Sequence, residues 1–102
     1  MKKWMIAEVN WVPVHLGGRK AAVPLGTRYC PIVVFKSLKP ESVSWSAEIY
    51  TVTHIDDGNS VIMMSYLFDE APFELLVCGA SFRLFEGSSL VATGVISKEY
   101  IP

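Results

Sequence analysis

Residues 80–96 read ASFRLFEGSSLVATGVI: two short apolar strands around a Glu86-Gly87-Ser88-Ser89 turn, with Gly94 set among valine and isoleucine. A glycine inside a strand lets the sheet bend or lets another group approach the backbone closely. A hairpin of this kind is suited to closing a small barrel. Side chains alternate between the faces of a strand, so Leu84, Val91 and Val95 are expected in the core, with Val33 or its neighbour Val34. A slip of one residue would exchange the two faces.

Strand signals continue upstream. Residues 4–12 are rich in β-branched and aromatic residues and are broken by Pro13 and Gly17-Gly18. Residues 29–35 (YCPIVVF) read as a strand with Pro31 near its start, and 36–43, polar and carrying Pro40, as a loop. Residues 47–55 alternate, with Ile49, Thr51, Thr53 and Ile55 on one face. Asp57-Gly58 offers a hairpin turn of positive φ, and residues 60–68 return as its partner strand. Residues 73–78 (FELLVC) follow Pro72 and precede the closing hairpin. The run 63–76 can be argued as helix on its methionine and leucine content, but Pro72 favours strands. The pattern predicts an all-β chain: residues 1–102 as one small antiparallel barrel or sandwich of six or seven strands, the barrel being favoured by the closing hairpin, with no helix longer than two turns.

With 102 residues, 51% of them hydrophobic and 19% charged, the chain can bury a core. A net charge of −1 argues against a dedicated nucleic-acid binder and against a polybasic membrane surface. Glu8, Asn10 and Pro13 interrupt the apolar run that a signal peptide would need after Lys2-Lys3, and no run reaches the ~20 apolar residues of a membrane span. Cys30 and Cys78 sit in apolar runs and are read as small buried hydrophobes, which favours a reducing cytoplasm.

No constellation carries chemistry. His15 and His54 lack the paired ligand spacings of a metal site. Asp56-Asp57 and Asp69-Glu70 are adjacent carboxylates beside turn residues, where neighbours on an extended chain point apart. Gly17-Gly18-Arg19-Lys20 has the composition of an anion-binding loop without its spacing or following helix, and reads as a turn with a solvated basic tip. No serine stands in a GxSxG context. Trp4, Trp11 and Trp45 are core or barrel-end residues by type, or partner anchors if exposed.

In order along the chain, these motifs resemble the C-terminal (third) β-barrel domain of translation elongation factor Tu. Residues 6–12 (IAEVNWV) are similar to the family's opening acidic-Val-aromatic strand, and Gly17-Gly18-Arg19 to its GGR turn. Residues 26–35 (GTRYCPIVVF) are similar to GYRPQFYF with extra residues before the proline, and 86–96 (EGSSLVATGVI) align without a gap to EGGRTVGAGVV. The resemblance spans about residues 6–97. It implies a β-barrel that, in the family, helps hold the T-stem of aminoacyl-tRNA. Here the basic residue of the closing turn is replaced by Ser89, Arg28 only approximates the family's arginine before proline, and no GTPase motif is present.

These observations predict a non-catalytic binding module without cofactor, metal or nucleotide, acting in the cytoplasm through protein–protein interaction of a mimic, regulatory or immunity type. Its binding face would be centred on Trp11 or Trp45. The alternative is a translation-linked RNA or tRNA contact through Arg19, Lys20, Arg28 and Arg83. A small-molecule or enzymatic role in the barrel mouth has the least support.

Overall fold

Where apolar and polar residues alternate, the chain is extended. The computed structural model describes residues 2–19, 23–36 and 44–101. Its strands are β1 (Met5–Trp11), β2 (Arg28–Tyr29), β3 (Ile32–Phe35), β4 (Ser44–His54), β5 (Asn59–Tyr66), β6 (Ser81–Glu86) and β7 (Ser89–Glu99). All strand pairings are antiparallel, in the order β2-β4-β3-β6-β7-β1-β5, and β4 pairs β5 to close the circle. The result is a closed six-stranded barrel with the two-residue β2 as a seventh strand. Closure satisfies the edge N–H and C=O groups that an open sheet would expose. Among the described residues there is no α-helix, only 3₁₀ turns at Val14–Leu16 and Phe73–Leu75.

Val9, Val33, Ile49, Ile62, Met64, Phe82, Leu84, Val91 and Ile96 fill the interior. Each contributes about 1.5–3 kcal/mol on leaving water. Gly94 stands opposite both Phe82 and Val9. A Cβ there would lie 2.8 Å from Phe82 Cε2 and 2.9 Å from the Glu8 carbonyl oxygen, so the Phe82 ring occupies the space a side chain would need. In the closing turn Glu86 pairs Ser89, and Gly87 alone has positive φ, 60°. Positive φ at only the first of two central residues is the pattern of a type II′ hairpin.

Two bulges change which residues face inward. Phe85 pairs Leu90 while Leu84 pairs Ala92, which makes Val91 an extra residue on β7. Val91 and Ala92 are consequently both buried, and the alternation beyond them is inverted: Ile96 is buried and Val95 is 47% exposed. The expectation that Val95 faces the core is therefore corrected, while Leu84, Val91 and Val33 are buried as expected. On β4, Thr51 pairs Ile62 and Thr53 pairs Val61, leaving Val52 as the extra residue. Ala47, Ile49 and Thr51 keep the inward face, but Thr53 and Ile55, expected to share it, are exposed.

Other expectations change for local reasons. Pro31 has no N–H to pair and splits residues 29–35 into β2 and β3, while its carbonyl accepts from Ala47 N at 2.8 Å. Pro31 takes the inward position and Cys30 turns out. Cys78 is also exposed, its Sγ donating to the Ser97 carbonyl at 3.0 Å, so neither cysteine is the buried hydrophobe its apolar context predicted. Residues 73–78 are not a strand. They bond locally (Leu75 N to Pro72 O, 3.0 Å; Leu76 N to Phe73 O, 3.1 Å) and send Leu76 into the core while Leu75 and Val77 face out. The β4–β5 turn uses no positive φ; the Asp56 carboxylate shapes it instead, accepting from Gly58 N and Asn59 N at 2.9 Å each. Residues 37–43 of the expected loop, and Lys20, lie outside the described residues.

Candidate functional site

Strand direction brings the end of β1, the β4–β5 turn, the segment leading into β3 and the β6–β7 turn to one end of the barrel. Here the chain leaves β1 through Pro13 into the 3₁₀ turn Val14–Leu16. That turn is tightly held. Leu16 N and Gly18 N both donate to the Pro13 carbonyl, at 2.9 and 3.0 Å, and Gly17 N donates to Val14 O at 3.1 Å. Gly17 has φ 96°, and a Cβ on Gly18 would overlap the Val12 carbonyl, so both glycines are required. The turn buries none of its side chains: Val14 is 55% and Leu16 68% exposed.

Arg19 follows directly. Its Nη1 pairs with Glu86 Oε2, and its guanidinium lies over the Tyr29 ring, 4.8 Å from the centroid. The Tyr29 hydroxyl donates to the same Glu86 oxygen. The Tyr29 hydrogen bond, with the Arg19 guanidinium beside it, holds the Glu86 carboxyl below its ordinary pKa. Burial, reinforced by Glu86, pushes the Tyr29 phenol up. Arg19 thus ties the Gly17-Gly18 turn to the closing hairpin; it is not the solvated basic tip that composition predicted.

Trp11, the last residue of β1, packs its ring against Tyr29 (6.2 Å between centroids) and donates from Nε1 to Ser60 Oγ at 2.9 Å. Ser60 Oγ is also 2.7 Å from His54 Nδ1. A serine beside a histidine invites a nucleophile reading, but Ser60 is 1% exposed and its hydroxyl is shared between indole and imidazole. The pair orders the end of the barrel and presents no accessible oxygen.

A half-enclosed pocket of about 390 Å³ opens among these groups. Trp11, Val14, Val23 and Val91 supply apolar wall, and Arg19, His54 and Asp57 polar lining. Asp56 is engaged by Gly58 and Asn59, which hold its carboxyl below the ordinary range. Asp57 has no such engagement among the described residues. A larger, more open groove of about 1020 Å³ crosses the outer face of β1, β7 and β6, past Glu8, Arg83 and Val95.

The structure therefore joins Trp11 and Arg19 in one site and puts Arg28 and Trp45 elsewhere. Arg28 Nε pairs with Glu48 Oε2 at 2.9 Å on the outer wall, where Glu48 also accepts from Lys2 Nζ at 2.7 Å and Tyr50 OH at 3.2 Å. Trp45, at the opposite end, packs edge-on to Tyr66 with ring centroids 6.3 Å apart. Among the described residues, the Trp45 Nε1 and the Tyr66 hydroxyl are buried without a hydrogen-bond partner. Sequence reading missed Tyr29, His54, Asp57, Ser60 and Glu86 as members of the site, because only the barrel register brings them to Trp11 and Arg19. Val14 and Leu16 were missed as well, although apolar residues in a loop bounded by Pro13 and Gly17-Gly18 are a signal that could have found them.

Among the described residues, no three His, Cys, Asp or Glu side chains cluster as metal ligands, and no helix is long and apolar enough to cross a membrane. No family model matches the chain, and no curated protein matches it either.

Proposed function

We propose that the chain is a non-catalytic binding module, a barrel of the elongation factor Tu third-domain kind. It acts through protein–protein interaction as a mimic, a regulator or an immunity-type factor. The observation that carries this reading is the Pro13–Arg19 turn, which holds Val14 and Leu16 in water beside the Trp11 pocket. Exposing apolar side chains on a rigid turn is unfavourable for the isolated chain. A turn already ordered loses little conformational entropy when it docks, which is how preorganised surfaces gain affinity.

The RNA alternative draws less support. A phosphate at Arg19 or Arg28 would have to displace Glu86 or Glu48, and the net charge is −1. Because Arg19 holds the end of the barrel together, Arg28→Ala is the clean arginine variant and Arg19→Ala is not.

A photo-crosslinking amino acid placed at Leu16 in cells should trap one discrete protein. With that protein purified, Leu16→Asp should weaken binding by about 2 kcal/mol at unchanged melting temperature, and Arg28→Ala should change it little. Crosslinks to RNA instead, with tRNA binding that falls steeply between two salt concentrations and is lost in Arg28→Ala, would overturn the reading.

A further inference from the structure

We propose that the Trp11 pocket receives a lysine or arginine side chain of the protein partner, an inference that rests on the protein-contact reading above. Most polar groups around the pocket are already committed. The Trp11 indole N–H is given to Ser60 and His54 Nδ1 is bonded to the same hydroxyl, so neither is available to a ligand. The Arg19 charge is met by Glu86. The carboxylates of the β4–β5 turn are not neutralised in this way. Asp56 is held by neutral backbone and amide donors, and neither Asp56 nor Asp57 is paired with a cation among the described residues.

A pocket with an indole and valine wall and uncompensated negative charge at its lining selects among occupants. A purely apolar side chain would take Asp57 out of water with nothing to pair it. An anion would meet Asp57 of like sign. An alkyl ammonium or guanidinium satisfies both parts of the lining. Its aliphatic stem lies on Val14, Val23 and Val91, and its charged head is attracted by Asp57 and by the face of Trp11. The volume of about 390 Å³ is at the low end for small-ligand sites, enough for one long side chain with adjoining atoms.

The test uses the whole chain and simple probes: N-acetyl-lysinamide and N-acetyl-argininamide, against the neutral N-acetyl-norleucinamide and the anionic N-acetyl-glutamic acid amide. Titrations are followed by the indole N–H resonances, with Trp11 identified through Trp11→Phe. The cationic probes should shift Trp11 with dissociation constants in the millimolar range and bind at least about fivefold more tightly than norleucinamide, the ratio expected of one exposed charge contact. Asp57→Asn should remove that advantage, whereas Glu8→Gln, which deletes an equal charge in the outer groove, should keep it. Equal binding of norleucinamide, preference for the acidic probe, or an unmoved Trp11 resonance would overturn the assignment. If that happens while the Leu16 crosslink still traps a protein, only this inference falls. If the cations bind but Leu16 traps no protein, the partner reading falls and the assignment to a partner's side chain falls with it.

Discussion

Adding one methyl group at Gly94 tests the central packing feature of the barrel. In Gly94→Ala the new Cβ would collide with Phe82, 2.8 Å from Cε2, and sit 2.9 Å from the Glu8 carbonyl oxygen, where ordinary contacts begin near 3.4 Å. Neither neighbour can yield cheaply. Phe82 is 2% exposed and packed against Phe35, 5.8 Å away between ring centroids, and Glu8 belongs to the β1 backbone paired with β7. Overpacking of this kind costs about 1–3 kcal/mol, and the entropic gain of alanine in the unfolded chain returns about 0.4–1 kcal/mol. The net expectation is a loss of about 1–2 kcal/mol, which for a domain near 100 residues lowers the melting temperature by about 5–15 °C. Urea unfolding followed by tryptophan fluorescence would measure it, with an unchanged m-value showing that the transition is the same. Phe82→Leu loses contacts of its own, but in the Gly94→Ala background it should cost less than it does alone, with a coupling of about 1 kcal/mol. If Gly94→Ala melts at or above the parent temperature, the close approach of Phe82 to the β7 backbone is wrong.

The bulge at Val91 reverses the outcomes that alternation alone predicts for two neighbours: Val95→Asp should change stability by no more than about 0.5 kcal/mol, while Ile96→Asp should unfold the domain, as judged by urea titration or by soluble yield. The carboxyls of Glu48, Glu86 and Asp56 all titrate below their ordinary range, Glu48 chiefly through its hydrogen bond from Lys2. A depressed folded-state pKa contributes stability that is fully present above the unfolded value and lost as pH falls through the folded one. The melting temperature should therefore decline as pH drops below about 4.5, and Glu48→Gln, less stable at neutral pH, should show a shallower decline over that window. An unchanged slope in that variant would mean that the Lys2–Glu48–Arg28 cluster is not maintained in solution.

Much of the architecture was written in local chemistry. Breakers at Pro13, Asp57-Gly58, Pro72 and Gly87 set the lengths of the alternating runs between them, and runs of that length with period two have little option but strands. Gly87 and Gly94 carry their structural roles in the residue type, because only glycine takes the required φ or leaves the required space. Alternation placed Leu84 and Val91 inside, with Val33 or Val34, and the structure selects Val33. What it could not foresee is the count of residues between facing strands. A bulge is a mismatch between two partners, so neither strand alone contains it, and everything beyond Val91 and Val52 changes face. Cys30 and Cys78 show the same limit: an apolar neighbourhood in sequence says nothing about which way one side chain points at a kink beside Pro31 or in a turn beside Gly79. The candidate site depends still more on pairing. Trp11, Arg19, Tyr29, Asp57 and Glu86 come from separate segments, and their meeting follows from closure of the barrel, which brings the ends of β1, β4 and β6 together. Residue type determined what each of these groups can do; the register of six strands decided that Arg19 would be spent on Glu86 and that Asp57 would be left facing the pocket.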